Sequence, residues 1–285
     1  MSCESPMLEL EGVQFGYTKA FINLRGINLS ADKGKFIALM GPNGCGKTTL
    51  MRCVNCLLKI QEGSIDIEGE DVLAMTRKQV AKVCTTVPAE MPVEFSLLLK
   101  DFVSLGRAPI SSGIWWDSDE DQKAIEDIMR AFGLLKYQDR RLSQLSSGER
   151  ARALVAKGVV QEPKVMMVDE PSAHLDIKYK VQVMELLKEQ AKNGITVIMA
   201  SHDLNLVTRY CDEAMMIKDG VIYSYGDPNE IINEQSIKDV FGIDVTVVNV
   251  GGINYVVPRP PSESDSIRDP DSYRGERTWS PGGRS

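Results

Sequence analysis

Apolar residues in this chain fall into two recurring patterns, short unbroken runs and stripes at helical spacing. Phe36-Ile37-Ala38-Leu39-Met40 is an unbroken run of strand length, as are Val165-Met166-Met167-Val168 and Thr196-Val197-Ile198-Met199. Such runs predict strands buried on both faces. Between the last two, Ile177, Val181, Met184, Leu187 and Ala191 recur at helical spacing, and Gly194 closes that helix. A strand–helix–strand unit predicts parallel strands joined by a crossover helix. Leu50, Val54, Leu57 and Leu58 mark the face of a helix that follows the first run. Asp219-Gly220, between apolar stretches 214–218 and 221–225, predicts a hairpin. Around 95–160 the strands give way to helical text, with Ile125, Ile128, Met129 and Phe132 as a stripe. The alternation predicts an α/β fold with a parallel sheet and a helical insertion.

One boundary stands out. From Pro258 onward, 28 residues carry five prolines, and Ile267, Tyr273 and Trp279 are almost the only large apolar groups. That composition cannot offset the entropy of ordering, so 258–285 is expected to be a disordered tail behind a folded body. The tail's five Arg balance its five Asp plus Glu, so the net charge of −7 belongs to the body. An acidic body without basic blocks argues against a nucleic-acid partner, whose phosphates call for Lys and Arg. No apolar run approaches the roughly 18 residues of a membrane span. The first residues have neither the basic nor the apolar region of a secretory signal. Six scattered cysteines in 285 residues suggest a reducing compartment and not a disulfide scaffold.

The chemistry begins where the first buried run ends. Gly41-Pro42-Asn43-Gly44-Cys45-Gly46-Lys47-Thr48 fits G-x-x-x-x-G-K-[ST] and lies between a predicted strand and a predicted helix. Its glycines let backbone N–H groups turn toward phosphate oxygens at a helix N-terminus. Lys47 is expected to reach the β- and γ-phosphates of ATP, Thr48 to ligate Mg²⁺, and Thr49 to line the same nucleotide site. A chance Gly-rich turn is the alternative, and the strand–loop–helix setting argues against it. In Val165-Met166-Met167-Val168-Asp169-Glu170, Asp169 ends a strand and is expected to hold Mg²⁺. Glu170 is expected to polarise the attacking water.

Leu142-Ser143-Gln144-Leu145-Ser146-Ser147-Gly148-Glu149-Arg150 decides among P-loop families, because it resembles the L-S-G-G-Q/E motif of ABC-type ATPases. On its own it would read as a capped helix start with exposed polar residues. Other landmarks of that family follow in order. Ser172-Ala173-His174-Leu175-Asp176 resembles the D-loop, His202 the switch histidine, and Tyr17 the aromatic residue that stacks on adenine. The resemblance covers about 7–257 and implies a P-loop ATPase core with an antiparallel β subdomain and a helical subdomain near 91–160. It implies catalytic roles for Lys47, Glu170 and His202. It also implies contacts from Ser146, Gly148 and Asp176 to a nucleotide held by a second subunit, here expected to be another copy of this chain.

Two positions depart from the family pattern. Val87-Pro88-Ala89-Glu90 has Ala89 where Gln is usual, so slow or altered hydrolysis is expected. Ser147 replaces a Gly, and Ser tolerates left-handed backbone poorly, so an altered loop is expected there. Cys45 has two readings: a thiol activated by the helix N-terminus, or a small residue standing in for Ser.

Asp101-Phe102-Val103-Ser104-Leu105-Gly106-Arg107-Ala108-Pro109 resembles the helical region of ATPases from iron-siderophore, haem and cobalamin importers. So does the stretch from Gly226 to Val245, ending in a predicted hairpin around Gly251-Gly252. The resemblance implies a peripheral subunit on the cytoplasmic face of the membrane. Its partners would be transmembrane permease subunits and, indirectly, an extracytoplasmic substrate-binding protein. A soluble or regulatory ABC-type clamp with weak hydrolysis is the other reading.

Overall fold

A computed structural model of the chain describes residues 5–18, 21–90, 97–111, 118–173 and 175–259. β1 (Leu8–Thr18) and β2 (Phe21–Ala31) pair antiparallel. The apolar run becomes β3 (Phe36–Met40), followed by α1 (Lys47–Val54). β4 (Glu62–Ile67) and β5 (Glu70–Asp71) complete an antiparallel sheet of order β2-β1-β4-β5. α2 (Arg77–Val83) leads into β6 (Cys84–Val87). The helical stretch follows as α3 (Leu99–Ser104), α4 (Asp119–Ala131) and α5 (Ser147–Val159). Then come β7 (Val165–Asp169), α6 (Ile177–Lys192), β8 (Thr196–Ala200) and α7 (Leu204–Tyr210). β9 (Glu213–Lys218) and β10 (Val221–Gly226) form the hairpin expected at Asp219-Gly220, where both φ angles are positive. α8 (Pro228–Ile231), α9 (Glu234–Phe241), β11 (Val245–Val250) and β12 (Ile253–Pro258) end the described chain.

The main sheet has the order β10-β9-β3-β8-β7-β6 and is parallel except for β10. Alternate residues of its strands feed two separate cores, as a period-2 structure requires. Phe36, Ala38 and Met40 face the helices with Met166, Val168 and Met199. Ile37 and Leu39 face α1 and the antiparallel sheet with Val165, Met167 and Ile198. Burial on both faces explains the unbroken apolar runs. The chain is therefore α/β, with the antiparallel sheet expected from the family resemblance.

Helix ends depart from the simple stripes. The face predicted through Leu58 stops at Val54, because Cys56 adopts φ +55 and the N–H groups of Leu57 and Leu58 both close onto Arg52 O. Leu57 is 62% exposed as a result. In α6 the buried stripe is Val183, Met184, Leu187 and Ala191, while Ile177 is 81% exposed. At the C-terminus, Pro258 still belongs to β12, and Arg259 pairs with Glu234 and bonds Thr246 Oγ1. The rest of the expected tail, from 260, lies outside the described residues.

Arg107 holds the helical stretch to the sheet. Its Nε meets Asp121 Oδ1 at the start of α4 at 2.7 Å, and its Nη1 meets Glu162 Oε1 at 2.6 Å and Val160 O at 3.0 Å. Both Arg107 and Asp121 are nearly buried, so this pair is costly to break from one side. Burial works to raise the Asp121 carboxyl, but hydrogen bonds from Arg107 and Ser118 outweigh it and hold the group below the usual carboxylate range. A depressed carboxylate stabilises the fold above its unfolded pKa and loses that contribution as pH falls through the folded value. Arg107→Ala is expected to cost about 3 kcal/mol in urea unfolding at neutral pH. The difference from wild type should narrow below about pH 4, where the unfolded carboxyl protonates. An unchanged midpoint at pH 7 would contradict this role.

Candidate active site

The phosphate-loop sequence turns tightly between β3 and α1. Gly41 has φ +151, and a Cβ there would lie 2.2 Å from Ile217 O on neighbouring β9, so no side chain fits. Asn43, Gly44 and Thr48 face solvent, while Cys45, Gly46, Lys47 and Thr49 are buried. The Lys47 ammonium curls back onto its own loop, donating to Gly41 O at 2.7 Å and Pro42 O at 3.1 Å. Phosphate oxygens are stronger acceptors for an ammonium than neutral carbonyls, so the loop holds a cation ready to be exchanged onto an anion.

Strand order brings the other groups to this loop. β8 lies between β3 and β7, so their three carboxyl ends sit side by side. Thr48 Oγ1 donates to Asp169 Oδ2 at 3.3 Å. Burial pushes the Asp169 carboxyl up, against the pull of that hydrogen bond. A hydroxyl and a half-buried carboxylate are hard oxygen donors, a set that suits Mg²⁺. Glu170 takes φ +43, a left-handed backbone costing a non-glycine residue about 1 kcal/mol. Its N–H is tied to Ala200 O at 3.1 Å, and its Oε1 lies 2.7 Å from His202 Nε2. Strain of this kind commonly accompanies functional sites. A cleft of about 470 Å³ opens beside the pair, walled by Ser172, Lys180, Asp203, Val256 and Pro258.

The remaining sequence-predicted residues are less uniformly placed. Tyr17 is 55% exposed and stands edge-on to Phe15 with ring centroids 5.0 Å apart, leaving a face for a flat ligand. Ser146 caps α5 in a capping box, accepting from Glu149 N–H at 3.3 Å while Glu149 Oε2 accepts from Ser146 N–H at 2.8 Å. Ser147 is not left-handed but the first residue of α5, so the expected distortion is absent. Gly148 is buried against α6, where a Cβ would come within 2.4 Å of the Tyr179 ring. Asp176 caps α6 by accepting from Tyr179 N–H at 3.2 Å. His174 lies outside the described residues. Ala89 is exposed just beyond β6 and offers no amide.

Two corrections concern polar side chains. The activated-thiol reading of Cys45 fails: the group is 5% exposed, and burial pushes its pKa up despite neighbouring Lys47. Sequence reasoning also missed Lys180 and Asn205. Lys180 Nζ lies 3.5 Å from Asp203 Oδ2, and Asn205 bonds the backbone of Val256, 51 residues away. No local pattern announces contacts across such separations.

Comparison with known proteins agrees with this geometry. A family profile described as ABC transporter matches residues 24–173. The chain is 36% identical over 253 residues to the uncharacterized ABC transporter ATP-binding protein MJ0089 of Methanocaldococcus jannaschii, covering 88% of this chain and 98% of that one. It is 31% identical over 242 residues to the iron(3+)-hydroxamate import ATP-binding protein FhuC of Bacillus subtilis, covering 85% and 90% of the two chains. Among solved structures, cbiO1 of Clostridium perfringens, part of the ABC transporter complex cbiONQ, matches with a TM-score of 0.73 and 30% identity. That match covers 83% of this chain and 94% of the other.

The Gly148–Tyr179 contact yields a direct test. Gly148→Ala should destabilise the fold by about 1–3 kcal/mol through overpacking, despite the better helix propensity of Ala. The penalty should largely vanish in a Tyr179→Ala background when both are followed by urea unfolding. An equal penalty in the two backgrounds would show that the ring is not the obstacle.

Proposed function

The chain belongs to the ABC transporter family as an ATP-hydrolysing, ATP-binding subunit, and we propose that it drives an importer of iron complexes or corrinoids from the cytoplasmic face of the membrane. The observation that carries the hydrolytic part of this reading is the convergence of Thr48, Asp169, Glu170 and His202 at three adjacent parallel strand ends. The iron(3+)-hydroxamate import relative supports the substrate class. Among the described residues no helix is long and apolar enough to cross a membrane, so in this reading the transport path belongs to permease subunits.

Each group has a task in hydrolysis. Lys47 exchanges its loop carbonyls for the β- and γ-phosphates of ATP, and the α1 N-terminus adds its dipole. Tyr17 offers its open ring face to adenine. Thr48 and Asp169 would hold Mg²⁺, which neutralises charge on the phosphate oxygens when bound. Glu170 accepts a proton from the attacking water, and His202 orients the carboxylate through the Nε2–Oε1 contact. The chain has one copy of each motif, so Ser146, Gly148 and Asp176 serve the nucleotide of a second copy. Ile177, 81% exposed beside Asp176, suits burial against that copy. Two copies then clamp ATP, and loss of the γ-phosphate removes the contacts that favour the closed pair.

Ala89 is one of the two positions where this chain departs from its family pattern. Without an amide after β6, one contact for Mg²⁺ and water is lost, which favours slow turnover. The chain, purified from its host, should bring down a polytopic membrane protein that stimulates its ATP hydrolysis. Ala89→Gln should raise that stimulated rate. Recovery with ribosomes or nucleic acid in place of a membrane protein would overturn the importer reading. An Ala89→Gln variant with unchanged rate and transport would remove the role given to Ala89.

A further inference from the structure

His202 immediately precedes the N-cap of α7, and its position depends on how that first turn is held. On one side, Asp203 caps α7, donates its own N–H to Ser201 Oγ at 3.1 Å, and pairs with Lys180. On the other side stands the C-terminal hairpin. Asn205 Nδ2 donates to Val256 O at 3.2 Å, and Asn205 Oδ1 accepts from Val256 N–H at 2.7 Å. One side-chain amide thus satisfies both backbone groups of a single buried residue, as a neighbouring strand would.

The hairpin that Asn205 grips is itself fixed. Val256 pairs with Val247 across β11 and β12. Asn229 Oδ1 accepts from Asn254 N–H at 2.8 Å, and Asn229 O accepts from Asn254 Nδ2 at 2.7 Å. Arg259 fastens the end of β12 to Glu234. β12 is therefore tied to α8, α7 and α9 in turn. Its Val256 and Pro258 line the same cleft as Glu170 and His202.

We propose that the C-terminal hairpin is a strut for the catalytic histidine and that Asn205 is the positioning residue through which it acts. The proposal rests on the reading of Glu170 and His202 as the hydrolytic pair. Loss of the amide frees the first turn of α7 from β12, and His202 loses the support that keeps Nε2 on the Glu170 carboxylate. The phosphate loop is untouched, so nucleotide affinity is not involved.

A double-mutant cycle on steady-state ATP hydrolysis by the full chain tests this. Asn205→Ala should lower kcat about tenfold, less than the roughly hundredfold that a misplacement of about 1 Å can cost, with KM for ATP unchanged. In a His202→Ala background the same substitution should change kcat by less than about twofold, because the two residues act as one unit. Equal losses in both backgrounds, or no loss in wild type, overturn the proposal. A second readout is independent of turnover. The chain has two histidines, so the imidazole resonance of His202 can be assigned by its absence in His202→Ala. That resonance should shift in Asn205→Ala, and an unmoved resonance overturns the strut. A His202→Ala variant with wild-type turnover would instead remove the hydrolytic reading of His202, while the resonance would still report on the strut.

Discussion

The site depends on the register of one strand. Ala200, the last residue of β8, stands opposite Leu39 on β3 and Asp169 on β7. Its carbonyl accepts from Glu170 N–H, and the N–H of Ser201 donates to Leu39 O. The phosphate loop, the acidic pair and the histidine segment therefore leave the sheet from one level. A slip of one residue would exchange the two buried faces of β8 and part Glu170 from His202. The two cores prevent that slip, since Val197 and Met199 belong to one and Ile198 to the other.

From that register follows a division of labour between backbone and side chains. In the proposed reading the phosphate loop works mainly through peptide groups and one lysine, so an acidic protein with a net charge of −7 can still hold a polyanion. Lys47 is parked on loop carbonyls, so its charge stays satisfied while buried. Glu170 accepts backbone strain, and the cost is met by a sheet whose central strands β3, β8 and β7 are almost wholly buried. The elements around the sheet hold these groups still. Arg107 binds the helical stretch to the segment before β7, and Asn205 binds the last hairpin to the segment after β8.

Much of this was legible in the sequence because it is local. Unbroken apolar runs marked β3, β7 and β8, and the phosphate-loop spacing marked the turn between β3 and α1. Asp169 and Glu170 could be placed because they close a buried strand, and His202 through the family resemblance. What could not be read depends on contacts between distant segments. Cys45 had two readings, and burial against the second core, which pushes its pKa up, leaves the small residue standing in for Ser. Ser147 was expected to alter the loop because a Gly is usual at that position in the family, but it is the first residue of α5 and needs no left-handed backbone. α1 looked longer because nothing in Leu57 and Leu58 reveals the left-handed turn at Cys56. The roles of Gly148 against Tyr179 and of Asn205 against Val256 need the fold before they can be seen.

The central claim is that ATP bridges two copies of this chain, each supplying half of two sites. Light scattering on a Glu170→Gln variant, which on the proposed reading binds ATP but does not activate water, tests it most directly. With ATP and Mg²⁺ the measured mass should be twice that of the 31.6 kDa chain, and with ADP it should return to the single-chain value. Adding Lys47→Ala should abolish the ATP-dependent form. A mass that stays at 31.6 kDa with ATP, or doubles equally with ADP, would contradict the account.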